Sequence, residues 1–365
     1  MLKNYPWVKR TLLALLSFIV AIIAFGFWFF SQIPASENPT LLKNTQPEQI
    51  TYLQQGVKAE RGKILAVVTS SNKMGVSGKS TGYELTELAR AYYVFQANGF
   101  GVDIASPQGG EPPVVIDGDD MGEFDYAFLN DPVAQNKVTN SIPMHLVDRE
   151  QYQGIYFVGG KGAMFDFPDN SAIQSIVADY FQQGKVIGAV CHGPAALVNV
   201  KLDNGSSMVA NKAVSGFTNE EELLLIKDAR TIFPFLLEDK LVEQGARFTP
   251  GPAYLEQISH DGNLITGQNP WSVWTLAELM VTQLGYTPIV RPTTGEENTI
   301  SILKTYENKG YLQARAQIQA LLAKPNQPLH RTLIAMHSIV ALMQWELGKA
   351  VDMLKLLSIA NAAFE

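Results

Sequence analysis

Cysteine is almost absent: the 365-residue chain has one, Cys191. An intramolecular disulfide and a cysteine-based structural zinc site are therefore both excluded. Positive charge is sparse as well. Twenty-eight Lys and Arg face 35 Asp and Glu, for a net charge of −7 and a pI near 5.4. No basic cluster interrupts that balance, which argues against a nucleic-acid partner, since phosphate binding needs a basic face. No His/Asp/Glu group shows ligand spacing, so no metal and no cofactor is assigned. What is plentiful is apolar: 46% of residues are hydrophobic. The length allows one large domain and something smaller, because single cores rarely exceed about 250–300 residues.

Charge is missing entirely from Thr11 to Phe30, TLLALLSFIVAIIAFGFWFF, and none follows until Glu37. About 20 apolar residues are what a helix needs to cross a hydrocarbon core. Lys3, Lys9 and Arg10 precede the run and Lys43 is the first cation after it. The positive-inside rule then predicts a single-pass protein with residues 1–10 cytoplasmic, a membrane helix over 11–30 and the main domain extracytoplasmic, periplasmic in a bacterium. Phe27, Trp28, Phe29 and Phe30 would form an aromatic belt at the outer interface. A cleaved signal peptide is the alternative, but the run is long for one and no clear small-x-small site follows.

Residues 31–60, with Pro34, Pro39 and Pro47, read as a linker. Alternation then begins. KILAVVTS from Lys63 is a continuous apolar run typical of a strand buried on both faces. TGYELTELARAYYVFQANG has helical spacing with Gly99 as C-cap, and GVDIASPQGG is a second strand. GIYFVGG, the Asn170-capped NSAIQSIVADYFQQG, KVIGAV, the helix GPAALVNV and LITGQNPWSVWTLAELMVTQLG continue the pattern. Residues 61–288 are predicted to form one α/β domain, helices covering both faces of a mostly parallel sheet. Residues 289–365 carry helical periodicity only and are predicted to be a small helical region, resembling a helix-pair repeat, that must pack on the main domain or on a partner.

KVIGAV runs directly into Cys191-His192-Gly193-Pro194. A nucleophile between a buried strand and a helix sits on a tight turn at the carboxyl end of a sheet. A helix starting at Gly193 would aim its dipole at the sulfur and lower the thiol pKa. A free cysteine is also commonly a small buried apolar side chain. The adjacent His192 favours the nucleophile, with the imidazole as general base or ion-pair partner and a carboxylate to orient it.

AVCHGPAAL, together with GGKGAMFDFPDN, SPQGG, SGFTNEEE, PFLLE and LITGQNPWS in this order over residues 61–285, resembles the ThiJ/PfpI superfamily. The resemblance is nearest its branch of glutathione-independent glyoxalases (glyoxalase III) and heat-shock chaperones. It implies a three-layer, flavodoxin-like and class I glutamine amidotransferase-like fold. It also implies Cys191 as nucleophile, His192 beside it, Glu222 as the acid of the triad with Glu221 as fallback, and Glu87 as the carboxyl that hydrogen-bonds the sulfur. A glutamate beside a thiolate must stay protonated or share a proton with it. Backbone N–H groups of Gly160, Lys161 and His192 would form an oxyanion hole. The family usually has histidine where Lys161 stands, and lysine there favours a more anionic ligand.

The resemblance implies conversion of a 2-oxoaldehyde such as methylglyoxal to a 2-hydroxy acid through a hemithioacetal on Cys191, without cofactor. A Cys-dependent hydrolase or peptidase, and a stress-related holdase or redox sensor, are the alternatives on the same scaffold. The expected partners are a small aldehyde or acyl substrate and the membrane, with a homodimer and a partner for the helical tail as further expectations. A glutamine amidotransferase is disfavoured because His260 is followed by Asp261 and Gly262, not by the His-x-Glu pair that reaction uses.

Overall fold

A computed structural model of the chain describes residues 6–32, 42–118, 121–324 and 327–362, without the side chains at 6, 8, 21, 22, 25, 30 and 32. Two compact units result, one of residues 38–292 and one of residues 1–37 with 293–365.

The larger unit is built on a seven-stranded sheet. Its strands are β1 (Lys63–Val67), β2 (Gly101–Ser106), β3 (Ile142–Pro143), β4 (Tyr152–Phe157), β5 (Val186–Val190), β6 (Ile258–Asp261) and β7 (Leu264–Gly267). The spatial order is β6-β7-β5-β4-β1-β2-β3, and every pairing is parallel except the β6–β7 hairpin. The continuous apolar runs read from the sequence are the central strands. Ile64, Leu65, Ala66 and Val67 are buried, each large side chain contributing about 2 kcal/mol of burial. The antiparallel edge was not expected, although Asp261-Gly262 is a hairpin signal; Gly262 has φ 66° there.

Helix α2 (Leu85–Ala97) links β1 to β2, and α3 (Ser171–Gln183) links β4 to β5. These crossovers run in opposite directions along the sheet, so right-handed connections place the two helices on opposite faces. Asn170 caps α3 by accepting from the Ala172 and Ile173 amides, and Gly184 closes it at φ 72°. A short helix, α4 (Asn219–Leu225), and a longer one, α5 (Val273–Gln283), complete the frame around the site, with α5 packed on α2 and β5.

Two expectations need correction. The segment after Cys191 is not an α-helix but a five-residue 3-10 turn, Gly193–Leu197. Its start is pressed against β4, where a Cβ on Gly193 would lie 2.4 Å from the Phe157 carbonyl oxygen. The linker predicted over 31–60 is also partly ordered: residues 33–41 lie outside the described residues, but Pro47–Gln49 and Thr51–Gln54 are helical turns. Tyr52 is buried there, its hydroxyl accepting from Asn98 Nδ2 at 3.2 Å and its ring edge-on to Phe124. That contact folds the segment back onto α2, upstream of the expected boundary at 61.

The second unit holds α1 (Pro6–Gln32) and two helix pairs, α6 (Gly295–Lys309) with α7 (Tyr311–Leu322) and α8 (Arg331–Met343) with α9 (Leu347–Asn361). Thr294 and Glu297 form a capping box on α6. Among the described residues no helix is long and apolar enough to cross a membrane. The span expected over 11–30 falls within α1, and its side chains at 21, 22, 25 and 30 lie outside the described residues.

Candidate functional site

Three neighbouring parallel strands deliver the predicted residues to one place, the carboxyl end of the sheet where α/β folds bind ligands. Cys191 follows β5, the Gly159–Gly162 turn follows β4, and Glu87 sits in the first turn of α2 after β1. Cys191 has φ 59°, a left-handed conformation costing a non-glycine residue about 1–2 kcal/mol. The surroundings hold it there: its amide donates to Gly267 O at 3.0 Å and its carbonyl accepts from Phe217 N at 2.8 Å. The LITGQNPWS stretch thus supports the elbow from beneath.

The sulfur lies 3.3 Å from His192 Nδ1, and His192 Nε2 lies 2.6 Å from Glu222 Oε2. Burial pushes the Glu222 carboxyl up, but the charge and hydrogen bond of His192, with the charge of Lys161, outweigh it and leave the pKa lowered. An ionised carboxylate only accepts hydrogen bonds, so Nε2 carries a hydrogen, and Nδ1 is the ring nitrogen that faces the thiol and can exchange a proton with it. The imidazole is flanked by Phe217 at 4.6 Å and Phe233 at 6.3 Å.

Glu221 does something else. Its Oε2 accepts from the Thr218 amide at 3.0 Å and hydroxyl at 2.9 Å, while the Thr218 hydroxyl accepts from the Glu221 amide, a capping box on α4. Its Oε1 accepts from the amide of Tyr254 at 2.7 Å and from Asn269 Nδ2 at 3.0 Å. Tyr254 has φ 57°, so this carboxylate also pins a strained residue. The fallback reading of Glu221 as the acid is therefore not met, and the Thr218-x-x-Glu221 spacing is the sequence signal that would have separated the two glutamates.

Glu87 is fully buried, with Oε2 accepting from the Gly159 amide at 2.7 Å. Its Oε1 has no hydrogen-bond partner among the described residues, and Cys191 stands beside the carboxyl across Gly159. Burial and the charge of Glu84 hold its pKa well above the usual range, against the thiol, the Gly159 amide and Arg90. The Cys191 thiol is pushed well up too, by burial and then by Glu87, against the Lys161 charge and a hydrogen bond from the Gly160 amide. This reverses the expected depression of the thiol pKa. A five-residue 3-10 turn is a weak dipole, and desolvation beside a carboxyl outweighs it. Both groups favour holding a proton, so the pair retains at least one at neutral pH.

The glycines of the turn are fitted to this arrangement. A Cβ on Gly159 would lie 2.5 Å from Glu87 Oε2 and 2.7 Å from Cys191 Cβ, and one on Gly160 would lie 2.4 Å from Gly82 O. Gly160 also has φ 95°. The amides of Lys161 and His192 donate to no acceptor among the described residues. The flanking phenylalanines were not singled out from sequence, where nothing distinguishes Phe217 or Phe233 from core residues.

Residues 79–283 match the DJ-1/PfpI family. A glutathione-independent glyoxalase of Schizosaccharomyces pombe, hsp3102, is 31% identical over 61% of this chain and 98% of its own length. The glutathione-independent glyoxalase HSP31 of Saccharomyces cerevisiae is 30% identical over 59% of this chain and 94% of its own. Among solved structures, the Rapid Encystment Protein 24 KDa of Francisella tularensis superposes with a TM-score of 0.58 and 38% identity, covering 61% of this chain and 99% of that one.

Proposed function

The chain belongs to the DJ-1/PfpI family, and from that premise we propose that it converts 2-oxoaldehydes such as methylglyoxal to 2-hydroxy acids without glutathione. The observation that carries this reading is a buried carboxyl, Glu87, beside the Cys191 thiol and tied to the Gly159 amide. A hydrolase needs only the Cys191–His192–Glu222 relay. A second proton-holding group next to the sulfur is what moving a proton between two carbons requires.

His192 Nδ1 takes the thiol proton and the Cys191 sulfur adds to the aldehyde carbon, giving a hemithioacetal. Glu87 or His192 gives its proton to the new oxyanion and, so emptied, takes the C1 proton, and the electron pair left behind forms an enediolate. The amides of Lys161 and His192 stabilise its oxygen. The proton returns to C2, which is reduced from ketone to alcohol as C1 is oxidised to a thioester. Water then cleaves the thioester to release the 2-hydroxy acid and the thiol. The sum is substrate plus water, so the redox change is internal.

Family relatives named as glyoxalases support this reading. Purified protein given methylglyoxal and no glutathione should form lactate, while simple thioesters and peptides supplied as substrates should persist. Thioester or peptide hydrolysis without lactate would overturn it in favour of the hydrolase. We further propose that the uncharged run 11–30 anchors the protein in a membrane with the α/β unit extracytoplasmic. The absence of charge between residues 11 and 30 and the cations before that run support the idea. Release of the full chain from membranes by alkaline carbonate would refute it.

A further inference from the structure

Tyr156 lies in β4, fully buried. A phenol hydroxyl carried into an apolar core costs free energy unless it finds a hydrogen-bond partner, and phenylalanine would fill the same space without that cost. Here the hydroxyl reaches from the sheet to α2 and donates to the backbone carbonyl of Glu87 at 2.9 Å. Small neighbours leave it room: the register partners of Tyr156 on the two flanking strands are Ala66 and Gly188. Phe95, further along α2, packs edge-on against the phenol ring at 5.8 Å. Glu87 is therefore gripped at two points by one piece of chain. Its carbonyl accepts from Tyr156, and its carboxyl accepts from the amide of Gly159, on the turn that follows the same strand, at 2.7 Å. A Cβ on Gly159 would meet Glu87 Oε2 at 2.5 Å and Cys191 Cβ at 2.7 Å, so this turn also sets the gap between carboxyl and nucleophile. A carbonyl inside a helix already serves the amide four residues on, so the phenol bond is one that α2 does not need for its own folding.

We propose that Tyr156 is a positioning residue, whose hydroxyl fixes the backbone of Glu87 so that the carboxyl is aimed at the substrate carbon carried on Cys191. The inference rests on the glyoxalase reading of the same site and adds a residue to it. Proton transfer between adjacent carbons is sensitive to placement, and a displacement of about 1 Å can cost on the order of 10²-fold in rate. The carboxyl now stands as near to Cys191 as Gly159 allows, so loosening the grip can only lengthen that gap.

Tyr156→Phe removes the hydroxyl and keeps the ring. Full-length wild type, Tyr156→Phe, Glu87→Gln and the double variant are compared in two assays. In turnover of methylglyoxal, kcat of Tyr156→Phe should fall on the order of tenfold to 10²-fold with KM little changed. Added to Glu87→Gln, the same substitution should change kcat by less than about twofold, because residues that act through one another are not additive. The second assay needs no turnover and reads the pH midpoint of Cys191 alkylation by iodoacetamide. An ionised Glu87 raises that midpoint, and Lys161, the other charge acting on the thiol, is the same in all four proteins. The midpoint should move down in Tyr156→Phe, part of the way to that of Glu87→Gln, and the double variant should match Glu87→Gln. An unmoved midpoint in Tyr156→Phe, or an equal fall of kcat in both backgrounds, overturns the proposal. A midpoint below that of Glu87→Gln, as an unfolded chain gives, marks a tyrosine that only holds the fold and overturns it too. The expected midpoint shift with no lactate from the wild type leaves the grip on Glu87 standing and removes the glyoxalase reading alone.

Discussion

Replacing Glu87 by glutamine separates the two roles a buried carboxyl can have. Glutamine is nearly isosteric, and its carbonyl can keep the Gly159 amide bond now made at 2.7 Å. What it loses is the exchangeable proton. Because burial raises the Glu87 pKa, the folded state holds a proton that the unfolded chain has released above its ordinary carboxylate range. Its contribution to stability therefore falls as pH rises through that range towards the folded value, and the Glu87→Gln variant has no such dependence. At neutral pH Glu87→Gln should be as stable as the wild type or more so. Were Glu87 ionised in the fold, glutamine would forfeit a charge-assisted hydrogen bond of about 1.5–3 kcal/mol, or roughly 3–12 °C in Tm for a domain of this size. Turnover of methylglyoxal should fall on the order of 10²–10⁴-fold, the usual contribution of a positioned acid-base group. Alkylation of Cys191 should become faster only at pH values high enough to ionise Glu87 in the wild type, where the variant removes a charge that raises the thiol pKa. Thermal melts, lactate formation and iodoacetamide kinetics on one preparation decide the matter. Turnover within a few-fold of wild type, or a Tm lower by more than about 5 °C, would refute the reasoning.

Gly159→Ala should destabilise by about 1–3 kcal/mol through overpacking, because the new methyl meets Glu87 and Cys191 Cβ inside 3 Å; a denaturant midpoint equal to wild type would contradict this. Glu222→Gln should lose turnover and about 1.5–3 kcal/mol of stability, the charge-assisted bond to His192 being lost. Glu221→Ala should lower stability by roughly 2–4 kcal/mol, as it orphans the buried Tyr254 and Asn269 donors, while its folded fraction keeps turnover, which paired melts and assays of the two variants check. Asp166, whose pKa burial raises to about 6 despite bonds from the Thr69 hydroxyl and Ser70 amide, should make the wild type lose stability relative to Asp166→Asn as pH rises from about 4 to about 6. A rise of that size converts to on the order of 3 kcal/mol, and parallel denaturation curves across that range would show the expectation wrong.

The parts legible in the sequence are those set by local pattern. The apolar runs of β1, β4 and β5 and the Asn170 and Gly184 caps of α3 lie where periodicity and capping rules place them. The proximity of Cys191, His192, Glu222 and Glu87 was legible only through a resemblance covering their motifs, since 30 and 104 residues separate the two glutamates from their partners. What escaped is non-local. Ala195, Ala196 and Leu197 are good helix formers, yet packing of Gly193 against Phe157 leaves only a 3-10 turn, and tertiary contact overrides propensity. Tyr52 is drawn out of an apparent linker by Asn98, 46 residues away. The direction of the thiol shift depends on burial and on Glu87, neither of which the strand-turn-helix pattern around Cys191 encodes.

The most direct test of the proposed chemistry is glutathione-free lactate formation from methylglyoxal by full-length wild type and Cys191→Ala, measured side by side. A covalent route through the sulfur predicts steady lactate production by the wild type and none above the uncatalysed rate by the variant. Lactate formation by Cys191→Ala at a rate near that of the wild type would contradict it.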